Sequence, residues 1–164
     1  MLSSWMNRAP PRSCTWIPWS QAHGYDAVID RNSEDVVARV KELTGGNGVA
    51  VAYDSVGKAT FEQTMDSLAA RGMFVSFGTT SGSVPPVIAA GLQHRGSLYF
   101  CRPSLATYCV ARDDLVHSAA AVFAMIEKGA NKIEINQRYP LADIVQAHTG
   151  LEAGKTSGST ILIP

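Results

Sequence analysis

Tyr53-Asp54-Ser55-Val56-Gly57, Arg71-Gly72-Met73-Phe74-Val75-Ser76-Phe77-Gly78 and Gly96-Ser97-Leu98-Tyr99-Phe100-Cys101-Arg102-Pro103 decide the fold of this chain. Each contains an apolar run of strand length that ends in small, polar or glycine residues. Segments with helical spacing separate them. Alternation of buried strands with helices at this spacing is the pattern of a parallel α/β sheet. In such sheets ligands bind at the carboxyl ends of the strands. The residues that close each run are therefore the first candidates for a site.

Outward from these runs, Ala27-Val28-Ile29-Asp30 reads as a further short buried strand. Asn32 or Ser33 is the expected N-cap of a helix with Val36, Val37, Val40 and Leu43 on one face, stopped by Gly45-Gly46. Val49 to Tyr53 is the next strand. Thr60 with Gln63 has the spacing of a capping box and opens a helix whose inner face is Phe61, Met65 and Leu68. Met73 to Phe77 and Leu98 to Cys101 are strands, with a loop over 78–86 and a helical turn over 87–92. A long helix is expected over 113–128, with Leu115, Ala119, Val122, Phe123 and Ile126 inward as core. Lys132 to Asn136 reads as a strand, Leu141 to Ala153 as a helix and Thr160 to Ile163 as a last strand.

Composition narrows the function. The 164 residues are enough for one domain, and 46% of them are hydrophobic. Fourteen basic residues balance fourteen acidic ones. Without a basic excess, nucleic acid and anionic membrane are excluded as partners. Cys14, Cys101 and Cys109 form no CxxC pair and read as free thiols of a reducing, cytoplasmic compartment. His23, His94, His117 and His148 share no metal-ligand spacing, so no metal site is expected. Residues 1–22 stand apart. They hold all three tryptophans and no acidic residue, and Pro10-Pro11 would break a targeting helix.

The order of ELTGGNGV (42–49), YDSVG (53–57), RGMFVSFG (71–78), GSLYFCRPSL (96–105), YPL (139–141), AH (147–148) and the terminal ILIP resembles the zinc-free, zeta-crystallin-like quinone oxidoreductases of the medium-chain dehydrogenase/reductase superfamily. The resemblance runs from about Gly24 to Pro164 and concerns the carboxyl-terminal portion of that family. It implies reduction of quinones or other electron-poor alkenes and carbonyls by hydride from NADPH. It also implies a partial Rossmann domain over 23–140 that lacks its first strands. Residues 141–164 would be the returning segment of a GroES-like catalytic domain. Carried over position by position, Val56 and Gly57 would face the adenosine side. Phe77, Gly78 and Thr79 would lie beside the nicotinamide riboside, and Phe100, Cys101 and Arg102 near the carboxamide. Arg31 would reach the 2′-phosphate, and Lys155 would lie in a tail segment near the cofactor. No proton donor is assigned. The resemblance further implies a homodimer through the edge strand 97–101.

Part of the cofactor machinery of such proteins is not found in this sequence. It contains no G-x-G-x-x-G, and Gly45-Gly46-Asn47-Gly48 has the wrong spacing and follows a helix instead of a strand. In the 3-2-1-4-5-6 strand order, the strand at 27–30 would have no neighbour and the strand at 49–53 an open edge. The chain alone is then expected to be poorly stable unless residues 1–22, such as Thr15-Trp16-Ile17, supply a substitute strand. A non-catalytic remnant that keeps its dimerisation surface is the alternative to an enzyme. Tyr53-Asp54 admits an acid–base pair, against the plainer reading of a turn-capping aspartate at a strand end.

Overall fold

The computed structural model describes Ser3, Ser4 and residues 25–164. They form two compact units, one reaching to Ser104 and the other containing Leu105–Pro164. The first unit holds a four-stranded parallel sheet in the order β1-β2-β3-β4. Its strands are β1 (Ser3–Ser4), β2 (Val49–Asp54), β3 (Leu68–Ser76) and β4 (Tyr99–Cys101). Helices α1 (Val36–Leu43), α2 (Phe61–Asp66) and α3 (Ala89–His94) connect them. This is the expected α/β class with a partial doubly wound sheet.

Register places Asp54 opposite Ser76 and Val75 opposite Cys101, so the carboxyl ends of β2, β3 and β4 lie side by side. One face of the sheet carries Ala52, Phe74 and Phe100 under Phe61, Met65 and Leu68, with Val84, Val87 and Leu92 at the rim. Phe74 is fully buried. Its ring lies 5.7 Å from that of Phe61 and meets Phe100 edge-on at 5.3 Å. Val51, Tyr53, Met73 and Tyr99 project to the opposite face and remain more than a third exposed.

Several local expectations are corrected. Residues 27–30 form no strand. Beside them there is no neighbouring strand among the described residues, and backbone pairing cannot be supplied by a sequence's own apolarity. Asp35, and neither Asn32 nor Ser33, caps α1, its side chain accepting from the Ala38 N–H at 3.0 Å. Asn32 and Ser33 instead turn back on Asp30, whose carboxylate accepts from the Asn32 N–H at 3.0 Å and the Ser33 hydroxyl at 3.0 Å. The Gly45-Gly46 stop is as expected. Gly46 N–H donates to Lys41 O at 2.7 Å and Gly45 N–H to Glu42 O at 3.4 Å, both glycines having positive φ, which is a Schellman closure. Ser3 and Ser4 pair with Tyr53 and Asp54 along the edge of β2 that was expected to be open. The stretch Thr15-Trp16-Ile17, expected as the substitute strand, lies outside the described residues.

The Asn32 N–H, first, and then the Ser33 hydroxyl hold the Asp30 carboxyl below the usual carboxylate range. A lowered pKa stabilises the folded form above the unfolded value of about 3.9, and that contribution is lost as pH falls through the folded value. Acidification from pH 5 to pH 3 is therefore expected to loosen the 30–34 turn. Asn32 amide exchange will report it, and Asp30→Asn should remove the pH dependence.

Within β3, between its pairings at Leu68 and Met73, Arg71 occupies left-handed backbone at φ 62 while its N–H donates to Gly96 O at 2.7 Å. Left-handed backbone costs a non-glycine residue about 1 kcal/mol. The Arg71 side chain is exposed, so Arg71→Gly relieves strain without emptying a packed site. A gain of about 0.5–1 kcal/mol is expected, read by chemical denaturation.

The second unit contains α4 (Leu105–Tyr108), α5 (Arg112–Glu127), α6 (Ile144–Glu152) and a two-stranded parallel sheet of β5 (Ile135–Pro140) and β6 (Ser159–Ile163). The strand expected at 132–136 begins three residues later. α5 has the expected length, but no residue of it is buried, and Phe123 is 62% exposed. The expectation of a core stripe is thus corrected: spacing reveals which positions are apolar, and not what covers them.

Candidate functional site

The carboxyl ends of β2 and β3 continue into two loops that are fastened to each other. Ser55 O accepts from the Thr80 N–H at 3.3 Å and the Thr80 hydroxyl at 2.9 Å. Val56 O accepts from the Ser81 N–H and the Ser81 hydroxyl, both at 2.8 Å. Ser81 Oγ in turn accepts from the Ala59 N–H at 2.9 Å, and Gly82 O from the Lys58 N–H at 3.0 Å. Two glycines make this approach possible. A Cβ on Gly78 would stand 2.3 Å from Ser55 O, and one on Gly57 would stand 2.4 Å from Gly82 O.

Asp54 organises the β2 end from below. It is fully buried. Its Oδ1 accepts from the Val56 and Gly57 N–H groups at 2.7 and 2.9 Å. Its Oδ2 accepts from the Thr60 and Thr64 hydroxyls at 2.6 and 2.9 Å. Four donors neutralise the cost of burying this carboxylate. The turn-capping reading holds, and Tyr53, whose neighbour is so engaged, projects to the opposite face of the sheet. The expected Thr60–Gln63 capping box does not form: Thr60 has helical instead of extended backbone, and its hydroxyl is turned toward Asp54, to which it donates, and accepts from no helix N–H.

The structure draws Val56, Gly57, Phe77, Gly78 and Thr79 into one loop cluster, with the Val56 side chain buried and Phe77 49% exposed. On the adjacent strand end Arg102 is exposed, and its Nη1 donates to Ser76 Oγ at 3.2 Å and Ser76 O at 3.5 Å. The Phe100 ring turns into the core, while Cys101 follows at the strand end as a half-buried free thiol. Arg31 is half-buried in the turn that precedes α1. Lys155 belongs to the second unit, where its N–H closes α6 on Gly150 O at 3.0 Å. Ser81 and Thr80 were missed in sequence. The available signal was a run of hydroxyl residues, Thr79-Thr80-Ser81, directly after the glycine that follows a strand.

Chemically, the cluster offers an aromatic side chain, backbone polar groups and one guanidinium on neighbouring parallel strand ends. These residues suit the nicotinamide-riboside end of a dinucleotide, which needs a flat apolar contact and a few fixed polar groups. They do not suit its pyrophosphate. Among the described residues the glycine-rich stretch 45–48 closes α1 and opens no helix. Also among the described residues, no three His, Cys, Asp or Glu side chains gather as for a metal ion.

A family model for zinc-binding dehydrogenases matches residues 23–162. The chain belongs to the zinc-binding dehydrogenase family. Within that family it is 46% identical to the quinone oxidoreductase of Pseudomonas aeruginosa, over 88% of this chain and 45% of that protein. It is 45% identical to quinone oxidoreductase 1 of Escherichia coli, over 84% of this chain and 42% of that protein. The crystal structure of Escherichia coli quinone oxidoreductase complexed with NADPH superposes with a TM-score of 0.86 at 42% identity, covering 93% of this chain and 47% of that one. The resemblance to quinone oxidoreductases is therefore borne out, and the chain spans a little under half the length of these family members.

Proposed function

We propose that the chain carries the nicotinamide end of the cofactor site of an NADPH-dependent quinone oxidoreductase. The observation that supports this reading is the junction of three parallel strand ends, which run on into Phe77, Gly78 and Thr79 and into Arg102, whose guanidinium reaches Ser76. The likeness to quinone oxidoreductases, one of them complexed with NADPH, supports the choice of cofactor and substrate class. When bound, NADPH supplies hydride to a quinone or another electron-poor alkene or carbonyl. The part of this chain is to bind and orient. Val56 and Gly57 would border the adenosine side, and Phe77, Gly78 and Thr79 the nicotinamide riboside. Phe100, Cys101 and Arg102 would border the carboxamide. Arg31 would meet the 2′-phosphate, and Lys155 would add a charge from the tail segment. Residues 23–140 would act as the partial nucleotide-binding domain and 141–164 as a returning catalytic segment, in the cytoplasm. No helix among the described residues is long and apolar enough to cross a membrane.

Titration of NADPH and NADH into the purified chain, followed by nicotinamide fluorescence, tests this reading. Saturable binding with NADPH preferred is the expected result. No binding of either at millimolar concentration would overturn it.

A second reading, a remnant that keeps a dimerisation surface without catalysis, is favoured by β4. Its outer edge has no strand partner among the described residues, and Tyr99 is 58% exposed. A homodimer through 97–101 would cover it. Sedimentation that stays monomeric at high concentration would refute this.

A further inference from the structure

We propose that Ser81 is a positioning residue, clamping the 78–82 loop to the 55–59 loop and thereby setting the backbone against which the nicotinamide end of the cofactor rests. The role in binding rests on the reading given under Proposed function. The clamp itself rests on geometry alone.

The two loops leave adjacent strands that the sheet holds in register only as far as Asp54 and Ser76, with one further bond from the Phe77 N–H to Asp54 O at 2.9 Å. Beyond that point no ladder holds them. The replacements are loop-to-loop bonds, and Ser81 makes three of them. Its N–H and its hydroxyl both donate to Val56 O, and its oxygen accepts from the Ala59 N–H. It therefore spans the entrance to α2 from both sides of the turn. Thr80 differs. Its N–H and hydroxyl converge on a single acceptor, Ser55 O, so losing that hydroxyl leaves the same pair of residues joined. Only a side chain that donates and accepts at one atom can do what Ser81 does, and serine and threonine are the β-hydroxyl residues. Without it, Val56 O keeps one backbone bond and the Ala59 N–H loses its partner.

The cofactor-facing consequence follows from position. Gly78 and Thr79 stand between the β3 end and the bonds that Thr80, Ser81 and Gly82 make to the 55–59 loop, and the Ser81 hydroxyl supplies two of those bonds, one of them to the entrance of α2. A loop that opens part of the time presents its binding geometry part of the time, and apparent affinity falls by that fraction.

The test compares Ser81→Ala, Ser81→Thr and Arg95→Met in the full chain. Arg95 belongs to neither loop and joins Glu62 and Asp66 of α2 at the surface, so it controls for loss of a polar contact outside the clamp. Amide exchange, melting temperature and NADPH affinity are read for each. In Ser81→Ala, exchange of the Ala59 and Lys58 N–H groups is expected to rise about tenfold and NADPH affinity to fall about five- to tenfold. Ser81→Thr should restore both, and Arg95→Met should change neither. Unchanged protection of Ala59 and Lys58 in Ser81→Ala would overturn the clamp. An affinity loss in Arg95→Met as large as in Ser81→Ala would overturn positioning in favour of general destabilisation. Wild-type chain that binds no NADPH, with Ala59 protection still lost in Ser81→Ala, would defeat the cofactor reading and retain the clamp.

Discussion

Gly78→Ala is expected to destabilise the chain by about 3–5 kcal/mol, a drop of roughly 10 °C or more in Tm. The added methyl would lie 2.3 Å from Ser55 O and 2.8 Å from Ser55 Cα, and neither atom belongs to a side chain that can swing away. The 55–59 and 78–82 loops must part, and the bonds between them go with the contact. Gly57→Ala should be as damaging, since a 2.4 Å approach to Gly82 O is compounded by a φ of +91. Gly45→Ala separates the two causes. Gly45 has φ +60 with nothing within 4 Å of the added atom, so it bears only the left-handed penalty of about 1 kcal/mol. Thermal melts of the three variants check the ranking. Equal losses at Gly45 and Gly57 would show that backbone conformation, and not close approach, governs Gly57, while Gly78, with no positive φ, reports close approach alone.

The second large effect is expected at Asp54. Asp54→Ala strands two buried backbone N–H groups and the buried Thr60 hydroxyl, and frees the half-buried Thr64 hydroxyl, at a cost of about 3–5 kcal/mol. Asp54→Asn should cost only about 1 kcal/mol. Its amide oxygen can keep the Val56 and Gly57 bonds, and its NH2 can donate to Thr60 and Thr64 hydroxyls that rotate to accept. This works because the four donors divide cleanly between the two carboxylate oxygens. Denaturant midpoints of the two variants decide the matter. A loss in Asp54→Asn as large as in Asp54→Ala would mean that negative charge, and not hydrogen-bond capacity, is what the site needs.

These two sites show what could be read in the sequence. The strand runs at 49–53, 73–77 and 98–101 were legible because burial on a parallel sheet imposes its own apolar signature. Asp54 was legible as a turn cap because turn chemistry is local. The failures share the opposite cause. Residues 27–30 have strand composition, but a strand exists only against another strand. Thr60 and Gln63 have capping-box spacing, but Thr60 takes helical backbone and turns its hydroxyl to a buried carboxylate six residues earlier. The α5 stripe has helical spacing, which says nothing of a covering partner. The close approach of Gly57 to Gly82 was also not legible, since a contact between residues 25 positions apart leaves no trace in spacing.

The shortness of α2 and α3 bears on the order in which the first unit is assembled. Each has six residues, well under the roughly 12–15 at which an isolated helix begins to persist in water. Neither can seed folding. The closest sequence separation across the β2–β3 register is 19 residues, Val49 with Leu68, and across β3–β4 it is 26. Every nucleus of this sheet must therefore close a long loop before any helix helps to hold it, which slows folding and leaves bare strands waiting for their neighbours. Refolding yield should fall as chain concentration rises, because a waiting strand pairs as readily with another molecule as with its own.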